Sequence, residues 1–259
     1  MAFFRNFPKT NYDYYGNGVA TKVVDLFRFA KPIDKFKDEL DVYSFYQIQE
    51  GDRPDVVSQL LYGTPEYYWT FFIVNDHLRT GISSWPLSSE ELEKYIADEY
   101  DGIVITCRPN YVYDGDGMLV SIENSLADRF EIGEPVIGFL SGATGVIESK
   151  DANKQQLVIT NVVGTFQENE IIRGNYTEDY ITAYQVMDWQ LAPHHFEDAN
   201  GREVDNSLFI SGALSWTLST PVTYREYETT QNEERSKIRV IRESKIFEFA
   251  QAYQELINK

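Results

Sequence analysis

Cysteine is almost absent from the sequence: Cys107 is the single one in 259 residues, which excludes an internal disulfide framework and a cysteine-based zinc site. Long apolar runs are missing too. None approaches the roughly 18 residues of a membrane span, so a soluble protein is expected. The opening MAFFRNFPKTNYDYYGNG has neither a basic start leading into a sustained apolar stretch nor a small-residue cleavage site, and no secretory signal is expected. Basic residues are scarce as well, 23 Lys and Arg against 41 Asp and Glu, for a net charge of −18. Residues 1–104 hold 10 basic and 17 acidic side chains, 105–221 hold 6 and 17, and 222–259 hold 7 and 7. Nucleic-acid binding needs Lys and Arg on phosphates, so the first 221 residues are poorly suited to it, and an anionic membrane surface is disfavoured by the same field. The plain role of such a charge is to keep an assembling protein soluble.

Aromatic residues, by contrast, make up 15% of the chain, and the most informative stretch, Gly51 to Asp76 (GDRPDVVSQLLYGTPEYYWTFFIVND), is dense in them. Asp52 is placed to cap a helix with Pro54 in its first turn and Val56, Val57, Leu60 and Leu61 on one face. Gly63 ends it, Thr64 and Pro65 start another, and Tyr68, Trp69, Phe71, Phe72, Ile73 and Val74 make that second helix apolar nearly all round, hence buried. Tyr43 to Gln49 alternates and predicts a strand. The expected order is strand, helix, helix.

Residues 1–41 form an irregular aromatic arm (Phe3, Phe4, Phe7, Tyr12, Tyr14, Tyr15) with only Val23–Phe29 regular; it either covers its own domain or lies on a partner. After a loop at His77–Pro86, Ser88 and Glu91 make a capping box for a helix over about Ser89–Tyr100, ended by Asp101-Gly102. From Ile103 to Tyr184 short strands alternate with turns: Ile103–Thr106 and Met118–Glu123 flank YDGDG, Val136–Leu140 and Gly145–Ser149 flank SGAT, and Leu157–Val163 follows. Within this region FEIGEPVIG (Phe130–Gly138) and FQENEIIRG (Phe166–Gly174) share Phe, Glu and Gly at matching offsets, with Val136 and Ile172 also matching. They are either a duplicated strand-turn element or two similar β-arches of separate origin. APHHFEDANGREVDN reads as a loop, Leu208–Pro221 is weakly patterned, Val222–Tyr227 reads as a strand, and Ile238, Val240 and Ile241 as another. A closing helix from a Ser244 cap buries Ile246, Phe249, Ala250, Tyr253 and Leu256 or Ile257. The fold class is α+β: an arm (1–41), a strand-helix-helix core (42–102), a β-rich insertion (103–185), a loop-rich connector (186–221) and a terminal strand and helix (222–259).

Catalytic constellations are weak. His194 and His195 precede Glu197 and Asp198, but adjacent histidines rarely point the same way and H-E-x-x-H spacing is absent. YDGDG starts like a calcium loop yet has Leu119 where that loop needs Gly and Ser125 where it needs Glu, so it reads as a hairpin turn. GFLSGATG lacks the Lys-Ser/Thr of a phosphate cradle, no G-x-S-x-G is present, and Cys107 has no neighbouring His. With 41 acidic residues, some carboxylate pair always sits at a glycosidase-like separation, which makes any such pair uninformative. No enzyme, cofactor or metal site is expected.

Gly51-Asp52 after a strand, Tyr62-Gly63, Thr64-Pro65, a second helix and Asn75-Asp76 resemble a LysM module, a small βααβ unit that often binds N-acetylglucosamine-containing glycans. HLRTGISSWPL supplies no closing strand for such a module. A closer resemblance is to the LysM-like baseplate wedge subunit of contractile-tailed bacteriophages. It is carried by Arg53–Asp76, especially Arg53-Pro54, Tyr62-Gly63, Pro65, Tyr68-Trp69 and Asn75-Asp76. The tail VTYREYETTQNEERSKIRVIRESKIFEFAQAYQELI adds to it, and the arm with Phe3-Phe4 and Val24-Asp25-Leu26-Phe27 is similar in style; together these cover about half the chain. The resemblance implies a structural subunit of the virion tail, assembled in the host cytoplasm and present in six copies. Its partners would be other wedge subunits, including the wedge-linking subunit and the sheath-like initiator, with no nucleic acid and no membrane. Candidates for packing or partner contact are Phe3, Phe4, Phe27, Arg53, Tyr62, Tyr68, Trp69, Asn75, Asp76, Tyr227, Arg239, Phe249 and Tyr253. The alternatives are a peptidoglycan-binding protein acting through the LysM-like module and a peptidoglycan-cleaving tail enzyme.

Overall fold

The computed structural model describes residues 7–25, 41–204 and 219–258. Phe3, Phe4, Phe27 and most of the Leu208–Pro221 stretch lie outside them. The protein is of mixed class, 30% helical and 35% strand, compatible with α+β. It divides into two compact units, residues 1–92 with 230–259 and residues 93–229.

In the first unit, strands β1 (Lys9–Tyr12) and β2 (Thr21–Val24) form an antiparallel hairpin where the sequence suggests irregular chain. Phe7, just before it, is buried with Trp69 and Phe249, and Val24 packs against the same cluster, so this part of the arm lies on its own unit. Strand β3 (Tyr43–Gln47) leads to helix α1 (Pro54–Tyr62), which starts with Pro54 at its first position. The residue preceding the helix is Arg53, not Asp52, and it makes no side-chain cap. The Asp52 carboxylate instead accepts the Gln49 N–H and the Tyr46 hydroxyl. Gly63 closes α1 in the left-handed region (φ 68°), its N–H bonded to Gln59, as only a residue without a Cβ does cheaply. Thr64 accepts the Glu66 N–H and opens a 3-10 turn (Pro65–Tyr67); the apolar run then forms a short helix, α2 (Trp69–Val74). Helix α3 (Ser89–Glu99), whose residues from Glu93 on belong to the second unit, starts with the expected reciprocal Ser88–Glu91 hydrogen bonds.

The second unit is built on β4 (Ile103–Cys107), β5 (Asn110–Tyr113), β6 (Leu119–Glu123), β7 (Pro135–Gly138), β8 (Thr144–Asp151), β9 (Gln156–Val163), β10 (Ile171–Gly174) and β11 (Tyr180–Asp188). Six of these close an antiparallel barrel in the order β10-β11-β4-β9-β8-β7, around Ile105, Leu126, Phe130, Ile147, Leu157, Ile159, Phe166, Ile172 and Ile181. Across YDGDG the partner of β6 is β5, not the Ile103–Thr106 strand, which the barrel takes up between β9 and β11. Closure supplies two neighbours for β4 that no local turn signal announces.

The PHHFED stretch, expected as loop, is strand β12 (Pro193–Asp198), held between β13 (Glu203–Val204) and β14 (Ser219–Thr223). Val222–Tyr227 is a strand only to Thr223. Helix α4 (Tyr224–Arg235) follows, because Thr223 and Glu226 exchange capping-box hydrogen bonds.

The chain then completes the first unit. Strand β15 (Lys237–Ile241) pairs antiparallel with β3, from Lys237 opposite Gln47 to Ile241 opposite Tyr43, and helix α5 (Glu243–Ile257) follows. Arg242, not Ser244, occupies the residue before α5. The first unit thus contains a strand-helix-helix-strand module, β3-α1-α2-β15, whose last strand comes from the far end of the chain. Val57, Phe71, Leu78, Trp85, Ile238 and Val240 form one of its cores; Trp69, Val74, Ile241, Ile246, Phe249 and Tyr253 form the other.

The two nine-residue matches occupy equivalent places in the barrel. Strands β7 and β10, and β8 and β11, begin at the same sequence offset, and Ile137 stands opposite Arg173 on a local dyad. Glu134 accepts N–H bonds from Glu131, Tyr176 and Thr177 and the Thr177 hydroxyl; Glu170 accepts those of Gln167, Leu140 and Ser141 and the Ser141 hydroxyl. The shared phenylalanines fill the core, and each shared glutamate braces the loop after the other repeat's strand.

Candidate functional site

Six of the residues marked by sequence meet along one seam in the first unit. Asn75 follows α2 and reaches β15: its Nδ2 donates to the Arg239 carbonyl (2.8 Å) and to Phe71 (2.8 Å), and its Oδ1 accepts the Arg239 N–H (2.8 Å). A primary amide is the side chain that can offer a donor and an acceptor to one peptide unit at once, which is what an outer strand edge demands. The Arg239 guanidinium donates back to the Val74 carbonyl (3.0 Å) and lies 5.8 Å from the Tyr43 ring centroid. Tyr62 donates its hydroxyl to the Ile241 carbonyl (2.9 Å), and burial pushes its pKa well above the ordinary phenol value. Trp69 stacks near Phe249 (6.4 Å) and Tyr253 (5.1 Å). Tyr62, Trp69, Asn75, Arg239, Phe249 and Tyr253 are therefore internal stitches between the Arg53–Asp76 segment and the C-terminal segment.

The others make no hydrogen bond or ring contact in this seam, although Tyr68 packs against its cores. Asp76 is exposed and pairs with Arg79 (3.1 Å). Tyr227 belongs to the second unit, its ring stacked 4.0 Å from that of His194. Arg53, which pairs with Asp55 (3.2 Å), and Tyr68 border a cleft of about 650 Å³ beside the start of α1. Trp85 is its aromatic wall, positioned by a 2.7 Å bond from Nε1 to the Asp52 carbonyl, and Ile82, Asp55 and Glu91 complete the rim. An apolar wall with one guanidinium and three acidic residues, Asp52, Asp55 and Glu91, is net negative and suits a neutral polar ligand or a peptide better than an anionic one. The sequence predicts only a loop over His77–Pro86 and does not single out Trp85, whose place in the cleft wall rests on the return of that loop past Asp52.

His194 and His195 do point together. A β-bulge between Pro193 and His195 interrupts the alternation of β12, and their Nδ1 atoms stand 2.9 Å apart; His195 Nε2 lies 3.2 Å from Glu197. Burial, with His195 adding to it, lowers the His194 pKa below the ordinary imidazole value. Among the described residues no three His, Cys, Asp or Glu side chains converge as a metal site. Burial pushes the Cys107 thiol up to about 12, and it donates to Gln155 Oε1 (3.1 Å), an environment for an inert thiol. Asp114 closes the YDGDG hairpin by accepting the Asp116 and Met118 N–H groups.

No family model matches the chain, and a search of curated proteins finds none that is similar.

Proposed function

We propose that this chain is a structural subunit of a contractile phage tail baseplate, joining neighbouring wedge components around the hub. One observation carries the reading. The two stretches that resemble the wedge subunit, Arg53–Asp76 and the C-terminal segment, are remote in sequence, yet Asn75–Arg239, Tyr62–Ile241 and Trp69–Phe249 tie them into a single module. In this reading the module is LysM-like, its closing strand β15 delayed by everything between α2 and β15. Interruption of a small βααβ unit by so much chain fits a scaffold on which interaction elements have been mounted.

The test is assembly. Coexpressed with the other wedge subunits, the chain is expected to co-purify in stable complexes and to be present at six copies per tail particle. A monomer that never enters particles would overturn the proposal.

A second reading, glycan binding through the same module, is favoured by the cleft between Trp85, Tyr68 and the start of α1. Retention of the full chain on purified peptidoglycan at micromolar protein, lost on Tyr68→Ala, would favour it over assembly; no retention would remove it.

A further inference from the structure

The barrel's paired glutamates have a consequence beyond symmetry. Each braced loop displays large apolar side chains to solvent: Phe139 (74% exposed) and Leu140 (69%) on the loop after β7, and Tyr176 (70%) on the loop after β10. Leu140 and Tyr176 stand at equivalent positions of the two repeats. Because β7 and β10 run antiparallel, the loops lie at opposite ends of one ribbon. Between them its outer face carries Ile137 and Ile171, with Phe139 donating its N–H to the Ile171 carbonyl, and Arg173 opposite Ile137, its charge paired with Glu178 (3.4 Å).

Apolar residues on a mobile loop are cheap to leave in water and costly to order. Here the ordering is already done, by two buried carboxylates that accept bonds from the loop N–H groups. Exposed apolar side chains on pre-ordered backbone are the arrangement that binds with little entropic loss.

We propose that the outer face of the β7–β10 ribbon, with its two braced loops, docks a protein partner that presents apolar side chains within a ring of Lys and Arg. Charge selects the partner. The unit that bears the ribbon, residues 93–229, holds 23 acidic against 8 basic residues, net −15. Exposed Glu131 and Glu168 belong to the turns that lead into the two strands, while Glu178 is paired with Arg173. A second copy would set −15 against −15, so a basic partner is favoured over self-association. The proposal deepens the assembly reading and rests on it for the partner being a protein.

The experiment titrates the full chain with a fluorescent amphipathic peptide of leucine and lysine, and with its leucine-glutamate counterpart. Saturable binding of the lysine peptide alone is expected, weakened about tenfold or more by joint Phe139→Ser and Leu140→Ser. Ile137→Thr with Ile171→Thr, checked for native circular dichroism, serves if the loop variant misfolds. Equal binding by the folded variants, or no binding of the lysine peptide, would overturn the proposal. So would sedimentation showing a dimer abolished by the same substitutions. Failure of the chain to enter tail particles would sink the assembly reading and leave the peptide result unchanged.

Discussion

The carboxylate of Glu134 fills the space that a side chain at position 174 would need: a Cβ built on Gly174 comes within 2.7 Å of its oxygens. Glu170 stands in the same relation to Gly138, again at 2.7 Å. Each shared glycine leaves room for the other repeat's glutamate, and Gly138 also for the Ser141 hydroxyl (2.5 Å). Both glutamates are almost completely buried (1% and 0% exposed), so their charges depend on the N–H and hydroxyl donors around them.

Gly174→Ala is expected to lower stability by about 1–3 kcal/mol in urea denaturation, since the pinned carboxylate cannot swing away. In a double-mutant cycle with Glu134→Ala the two losses should be strongly non-additive. Additive losses would show that the glycine is needed for another reason.

The Glu170 carboxyl is held below its ordinary value: burial opposes this, and the N–H groups of Gln167, Ser141 and Leu140 with the Ser141 hydroxyl outweigh it. A depressed folded-state pKa adds stability that is fully present above the unfolded value of 4.5 and lost as pH falls through the folded value. Glu170→Gln, which faces those donors with an NH₂, should cost about 1–3 kcal/mol at neutral pH. The gap to wild type in thermal midpoint should narrow below pH 4.5. A gap that stays constant down to acid would refute the carboxylate's role.

Asn75→Ala removes both the donor and the acceptor that hold the Arg239 peptide unit. Roughly 2–3 kcal/mol should be lost, and the Arg239 amide should lose much of its hydrogen-exchange protection. Unaltered protection there would mean that β15 is held by β3 alone.

Trp69→Ala opens a cavity against Phe249 and Tyr253 and should cost roughly 3–5 kcal/mol, read as a fall in thermal midpoint. An unchanged midpoint would place Trp69 on a binding face instead.

Sequence alone determined the elements whose causes are local. Pro54 and Gly63 bound α1 and Ser88 with Glu91 starts α3, because capping and φ > 0 are written in neighbouring residues; the matched Phe, Glu and Gly of residues 130–138 and 166–174 are visible there too, but only the barrel shows them at equivalent places. The Thr223–Glu226 box is just as local, yet Val222–Tyr227 reads as a strand from its composition, and the structure corrects this by starting a helix at Tyr224. Tertiary structure decided the rest. β12 exists only because β13 and β14 flank it, the bulge that turns His194 and His195 together depends on β14, and β15 closes the module begun by β3 across most of the chain. The β12–β13 hairpin is local, but the pairings of β12 with β14 and of β3 with β15 leave no local signal, since each is selected by hydrogen bonds and burial that form only when distant strands meet. The marked residues followed the same division: Trp69 and Asn75 stood out in the sequence, and the fold made them stitches to Phe249 and Arg239.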